Sequence, residues 1–292
     1  MNIIIAFFSI LFGSLSNVFL KKSLKYNVSI WNNDFLSQFF TICLFLFIYF
    51  CNLFPININL NLGVKIVMFI GIIFFIYTIG FYFRTKILKV EKISYLLPYT
   101  NLEKIFTIIL SFFIFGDISI ITFFIIIFTI FIIIIFSIDK KNLTFSKNIL
   151  IFCFAQILYA IGNLFTGYAL LEITKGGLGV SSFSFIVNYL IIGTIILFIP
   201  FLILRWFLEL KNIEKEFYIN MLSAGSLSWI SWFLSLVVVS NLGLSMSILL
   251  SFLGVFTTLI FAFSILREKI ESKDVILSIM ILFLISIGYY FK

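Results

Sequence analysis

Histidine is absent from this 292-residue chain, and cysteine and proline occur only three times each. Without histidine there is no imidazole acid/base pair and no His-ligated zinc. Cys43, Cys51 and Cys153 fall within apolar runs and lack metal-ligand spacing, which argues against a disulfide scaffold or a thiolate metal centre. Charge is also scarce: charged residues make up 11% of the chain and hydrophobic ones 63%. A soluble domain carries roughly a quarter charged and half apolar residues, so this composition belongs in lipid. Alanine is sparse while Phe reaches 42, with abundant Ile, Asn and Lys. That drift resembles the product of an AT-rich genome, so aromatic abundance is no argument for an aromatic substrate.

The apolar runs mostly reach the 17 to 25 residues or so that cross about 30 Å of hydrocarbon. They are apolar on every face, as in Ile120–Ile138, whereas a transmembrane barrel would alternate over about ten residues. The spacing predicts spans at Ile3–Leu20, Phe35–Phe54, Val64–Phe83, Ile93–Phe115, Ile118–Ile138, Ile149–Leu171, Ser181–Leu204, Phe217–Val239, Leu242–Leu266 and Val275–Tyr290. The first run has no basic segment before it and no small-residue cleavage site after it, so it reads as a span and not as a signal peptide. Only Gly116-Asp117 joins the fourth and fifth spans, and only Ser240-Asn241 the eighth and ninth, which makes each pair a tight antiparallel hairpin. The polar, basic stretch Asp139–Asn148 divides the chain into halves, 1–138 and 149–292, of five spans each.

The halves share a pattern. Leu102-Glu103-Lys104-Ile105-Phe106-Thr107, closed by Gly116-Asp117, recurs about 150 residues later as Phe252-Leu253-Gly254-Val255-Phe256-Thr257, closed by Arg267-Glu268. The loop before the first copy holds Arg84, Lys86, Lys89 and Lys92, while the loop before the second, Ser240–Gly243, holds no charge. Basic residues favour the cytoplasmic side, so equivalent loops fall on opposite sides of the membrane. Sixteen of the 20 Lys and Arg residues lie after odd-numbered spans; Lys65, Lys175 and Lys292 lie on the other side, and Lys104 lies within a span. This bias places both termini outside the cytoplasm. The +8 net charge thus flanks spans instead of forming the stripe that binds nucleic acid, and no nucleic-acid partner is expected. The expected fold class is an all-α integral membrane protein, ten transmembrane helices arranged as two inverted five-helix repeats, multi-pass in a bacterial inner membrane. Inverted repeats are the plan of many secondary transporters.

Tyr82-Phe83, the basic loop, Leu102–Thr107 and Phe115-Gly116-Asp117 resemble the EamA-like branch of the drug/metabolite transporter (DMT) superfamily. Trp232-Phe233, Gly254–Thr257 and Arg267-Glu268 extend the resemblance through the second half. Lys104 and Gly254 stand where that family often has Pro, and Asp117 where it has Glu. The resemblance implies a carrier whose central cavity is lined mainly by spans one, three, four, six, eight and nine. Its members move amino acids, nucleotide sugars, choline-like compounds, drugs and other metabolites. Many keep both termini in the cytoplasm, opposite to the charge count. The related small multidrug resistance proteins exchange protons on a Glu in helix one; here the first span offers Ser9, Ser14, Ser16 and Asn17 but no carboxylate.

Glu103 and Lys104 are the charges well inside a predicted span, where ionisable groups are costly and face a cavity or a partner. As helix neighbours they point about 100° apart, so each is expected to have its own environment. Removal from water disfavours a charged carboxylate, which makes Glu103 the candidate carrier of a coupling proton. The plainer alternative starts the fourth helix near Pro98, so that Glu103 serves the helix start and Lys104 snorkels to the headgroups.

Asn101 and Tyr82 belong to the polar and aromatic residues within the spans, and Trp232 matches Tyr82 in the repeat, so the two rings form an aromatic pair that could close over a substrate from both halves. Gln156, Tyr159 and Asn163 follow i, i+3, i+7 spacing and share one helix face. Interhelical hydrogen bonding is the competing role for all of these. Ser223, Ser226, Ser228, Ser231 and Ser235, with Gly225, read as a packing face, and Gly176-Gly177-Leu178-Gly179 as a loop without phosphate-binding context.

The leading expectation is a gradient-driven secondary carrier of a small polar organic metabolite, an amino acid or related solute. The alternative is a flippase for a lipid-linked sugar or other lipid-like substrate. Catalysis, cofactors and metals are not expected, because a lone interior carboxylate beside one Lys is no catalytic constellation. Expected partners are the substrate, coupling protons and the bilayer. Two fused halves make a monomer sufficient and leave a dimer open.

Overall fold

The computed structural model describes residues 2–26, 28–51, 64–115, 138–139, 144–175, 214–242, 250–251 and 253–290, with 124, 127–128, 131–132, 192 and 195 described individually. Within these residues the protein is helical: α1 (Asn2–Ser23), α2 (Ile30–Phe50), α3 (Val64–Val90), α4 (Ile93–Phe115), α5 (Lys147–Lys175), α6 (Lys215–Leu242), α7 (Leu253–Leu266) and α8 (Ser272–Tyr290). A two-residue antiparallel ladder pairs Ile138–Asp139 with Thr144–Phe145 in the stretch expected to be a polar, basic linker. Among the described residues three segments are long and apolar enough to cross a bilayer, Ile3–Ser23, Val67–Val90 and Lys147–Thr166, which points to a membrane-embedded protein.

Most of the fifth and seventh spans, Gly116-Asp117, Asn188 and the Gly176–Gly179 loop lie outside the described residues. The boundaries elsewhere shift in an informative way. Helix α2 begins five residues earlier than expected, with the Ser29 hydroxyl accepting from the Asn32 amide at 3.2 Å as an N-cap. Asp34 is thereby drawn into the helix. Helix α3 runs past Phe83 to Val90, since Arg84, Thr85 and Lys86 contain no helix breaker, and Arg84 becomes a helical residue instead of a loop residue. Helix α6 continues through Ser240 and Asn241, the residues expected to form a turn. Helix α4 starts at Ile93, not near Pro98, so Glu103 lies about ten residues, roughly 15 Å, along the helix.

Two groups of helices emerge from the packing. Helix α1 packs chiefly on α6 and α7, with α2 also on α6; α5 packs on α3 and α4. Among the described residues, contacts between the groups, α4 with α7 and α2 with α3, are sparser. Serine hydroxyls knit the first group: Ser9 donates to the Ser231 carbonyl at 2.8 Å, Ser231 returns the bond to the Ser9 carbonyl at 2.7 Å, and Ser16 donates to the Ala224 carbonyl at 2.8 Å. Small residues permit this proximity. A Cβ built on Gly225 would lie 2.5 Å from the Ser37 carbonyl oxygen, so α2 and α6 touch backbone to backbone. The outer faces carry exposed Ile4, Phe7, Met68, Ile72, Phe75 and Phe263, as a lipid-facing shell requires.

Substitution Gly225→Ala is expected to lower the thermal unfolding midpoint in detergent, with about 1–3 kcal/mol lost through overpacking. Gly71→Ala, where the added Cβ meets nothing within 4 Å, should leave the midpoint unchanged or raise it.

Candidate functional site

A cavity of about 530 Å³ opens where the two helix groups meet, and α1 through α7 all contribute to its wall. Of the residues singled out from sequence, Glu103, Lys104, Gln156, Tyr159, Asn163 and Trp232 line it. The three-residue face of α5 therefore points inward, as its spacing suggests. Tyr82 and Asn101 are not among the lining residues. The Tyr82 ring stacks on Trp31 at a centroid distance of 5.0 Å, and Asn101 is buried at 1% exposure. The matched pair Tyr82 and Trp232 therefore does not face the cavity together. Trp229 takes the place beside Trp232, at 4.9 Å and edge-on.

Glu103 and Lys104 diverge, as helix geometry requires. Asn163 donates its amide to Glu103 Oε1 at 2.7 Å, and the Tyr77 hydroxyl donates to Asn163 Oδ1 at 2.5 Å. Gly162 makes room for this chain: a Cβ there would lie 2.8 Å from the Tyr77 ring, so only glycine lets the ring cross α5. Lys104 extends toward α7 and donates to the Ser251 carbonyl at 2.6 Å. Neither residue serves the start of α4. That role belongs to Glu268, whose carboxylate accepts from the Ile93 and Ser94 amides at 3.2 and 3.0 Å and from the Ser94 hydroxyl. Arg267 aims it by adopting a positive φ of 56° at the end of α7.

Two charged lining residues escaped the sequence reading. Arg84 donates to Asn17 Oδ1 at 2.6 Å and sits 5.9 Å from the Tyr159 ring centroid, a cation–π distance. Asp34 accepts from the Gln38 amide at 3.3 Å. Both sit one residue beyond the edge of an apolar run, where a hydropathy window stops. The signals that could have found them are the Ser29 cap ahead of Asp34 and the lack of any breaker after Phe83. Among the described residues the cavity wall thus holds Asp34 and Glu103 against Arg84 and Lys104, two charges of each sign.

Polar bonds between the helix groups gather toward one end. Lys21 of α1 donates to the carbonyls of Leu88 and Glu91 at the close of α3, Arg84 of α3 meets Asn17 of α1, and Glu268 caps α4. Carbonyls ending a helix attract a cation, and amides starting one attract a carboxylate. Among the described residues no group of three or more His, Cys, Asp or Glu side chains could hold a metal ion. No model of a known protein family matches the chain, and no characterised protein matches it either.

Tyr77→Phe and Glu103→Gln act on opposite ends of one amide, Asn163. A double-mutant cycle on unfolding is expected to show coupling of about 0.5–3 kcal/mol between them. Additive effects would mean that Asn163 does not link the two groups.

Proposed function

We propose that the protein is a secondary carrier that moves a small polar organic metabolite, an amino acid or related solute, by alternating access across a bacterial inner membrane. In this reading it belongs with the EamA-like carriers: ten spans form two inverted repeats, 1–138 and 149–292, joined by 139–148. The observation that carries the proposal is the cavity itself. Its volume of about 530 Å³ lies within the roughly 300–1,000 Å³ typical of small-molecule sites. Charged groups in a membrane-embedded bundle are costly, and their retention marks a substrate or ion pathway. Two charges of each sign leave the wall balanced when all are ionised, which suits a zwitterion or a neutral polar solute better than a net anion or cation.

The helix groups supply the moving parts. Each group combines helices from before residue 139 with helices from after residue 148, and the seam between the groups is thinly packed. Rocking of one group against the other exposes the cavity to each side in turn. In the structure the Lys21, Arg84 and Glu268 bonds hold the seam together near the ends of α1, α3 and α7. By the distribution of basic residues this is the cytoplasmic end. Opening there requires those bonds to be exchanged for water, and they are built from side chains that water solvates well. Glu103 lines the cavity about midway along α4, and in this reading it exchanges a proton with whichever side is open.

Uptake of a labelled panel of amino acids, choline, polyamines and nucleotide-sugar precursors into proteoliposomes tests the proposal. Saturable uptake of one class, raised by an imposed pH gradient, is expected. Glu103→Gln should remove the gradient dependence while leaving solute exchange measurable. No uptake of any soluble probe, together with movement of a lipid-linked sugar, would replace the carrier with a flippase.

A further inference from the structure

Among the described residues, three buried oxygens in the cavity wall have no hydrogen-bond partner: Asp34 Oδ2, Gln38 Oε1 and Thr78 Oγ1. Their side chains are only 6%, 7% and 9% exposed, so bulk water does not solvate them. An unpaired buried acceptor costs on the order of 1–3 kcal/mol, more when it is charged, and three in one wall call for a shared ligand.

Their placement is set locally. Trp31 stacks on Tyr82, which brings the start of α2 to the end of α3. Asp34 and Thr78 each lie one turn further in from that pair and so reach the same depth. Gln38 follows a turn later on the same face as Asp34, and its amide nitrogen is spent on Asp34 Oδ1, which leaves its oxygen outward. Arg84, a cationic residue of the same cavity wall, is engaged by Asn17 and the Tyr159 ring.

We propose that Asp34, Gln38 and Thr78 form a subsite in the cavity for a compact cationic group, either an ammonium borne by the solute or a sodium ion. Both present the same chemistry to the wall. An ammonium has three donors and no acceptor, and a small hard cation takes oxygen ligands of carboxylate, amide and hydroxyl type. A bulky quaternary ammonium offers neither donors nor a small radius. The subsite rests on the carrier reading for its purpose, but its occupancy does not depend on transport.

The test is a titration of the purified full chain in lipid nanodiscs, read by the fluorescence of Trp229 and Trp232, which line the same cavity. Sodium chloride and methylammonium chloride are titrated separately, with choline chloride keeping ionic strength constant. A saturable response to either ion, weakened tenfold or more in Asp34→Asn and also in Thr78→Val, supports the subsite. Response to sodium alone identifies an inorganic ion, and response to methylammonium identifies the ammonium of a solute. No saturable response to either ion, or one that Asp34→Asn and Thr78→Val leave unchanged, overturns it. Should Asp34→Asn fail to fold, Thr78→Val decides. Ion binding without uptake of any solute would keep the subsite and remove the carrier. Uptake of a solute by protein that gives no saturable response to either ion would do the reverse.

Discussion

The seam between the two helix groups has to hold charge inside a bundle whose outer surface is apolar, and much of the architecture answers that demand. Away from water, a charged side chain persists only with hydrogen-bonding partners or access to a wet cavity. The protein supplies both. Glu103 leans on Asn163, Lys104 on a backbone carbonyl of Ser251, Arg84 on Asn17 and the Tyr159 ring. The Arg84 and Lys104 bonds link one group to the other, so charge that would weaken a uniformly packed core instead holds a thin interface in register.

The same demand explains where small residues are used. The Ser9 and Ser231 exchange and the Gly225 contact bring α1, α2 and α6 close, which fixes the first group as a unit. Gly162 serves the second group by letting Tyr77 reach across α5 to Asn163. Tight packing within groups and sparse packing between them is the mechanical pattern of two bodies that can tilt past one another. In the proposed carrier the polar bonds near Lys21 and Glu268 are the part of the seam that water replaces.

Much of the helical plan was legible in the sequence because hydrophobic runs of bilayer length leave few other folds. The bounds of α4 are those expected, and the Gln156, Tyr159, Asn163 stripe faces inward because its spacing follows the helix period. Misjudgements occur at helix ends. Hydropathy falls off before a helix does, since Asn, Asp, Arg and Lys can extend a helix once it is nucleated and capped. Asp34 and Arg84 were lost for that reason, although they supply half of the cavity's charge. The placing of Tyr82 was not legible for another reason: repeat position does not reveal that Trp31 lies within stacking distance. Asn101, one turn before Ile105, has the right sequence neighbourhood but is buried and is not among the lining residues.

The central claim is a wet, polar cavity enclosed by a lipid-facing shell, and thiol accessibility tests it most directly. With Cys43, Cys51 and Cys153 replaced by Ser, single cysteines are placed at Ser228, in the cavity wall, and at Ile72, on the outer face of α3. Both are then exposed to a water-soluble maleimide in proteoliposomes. The account predicts that Ser228→Cys reacts readily and Ile72→Cys scarcely at all. Equal reactivity at both positions, or an inert Ser228→Cys, would contradict it.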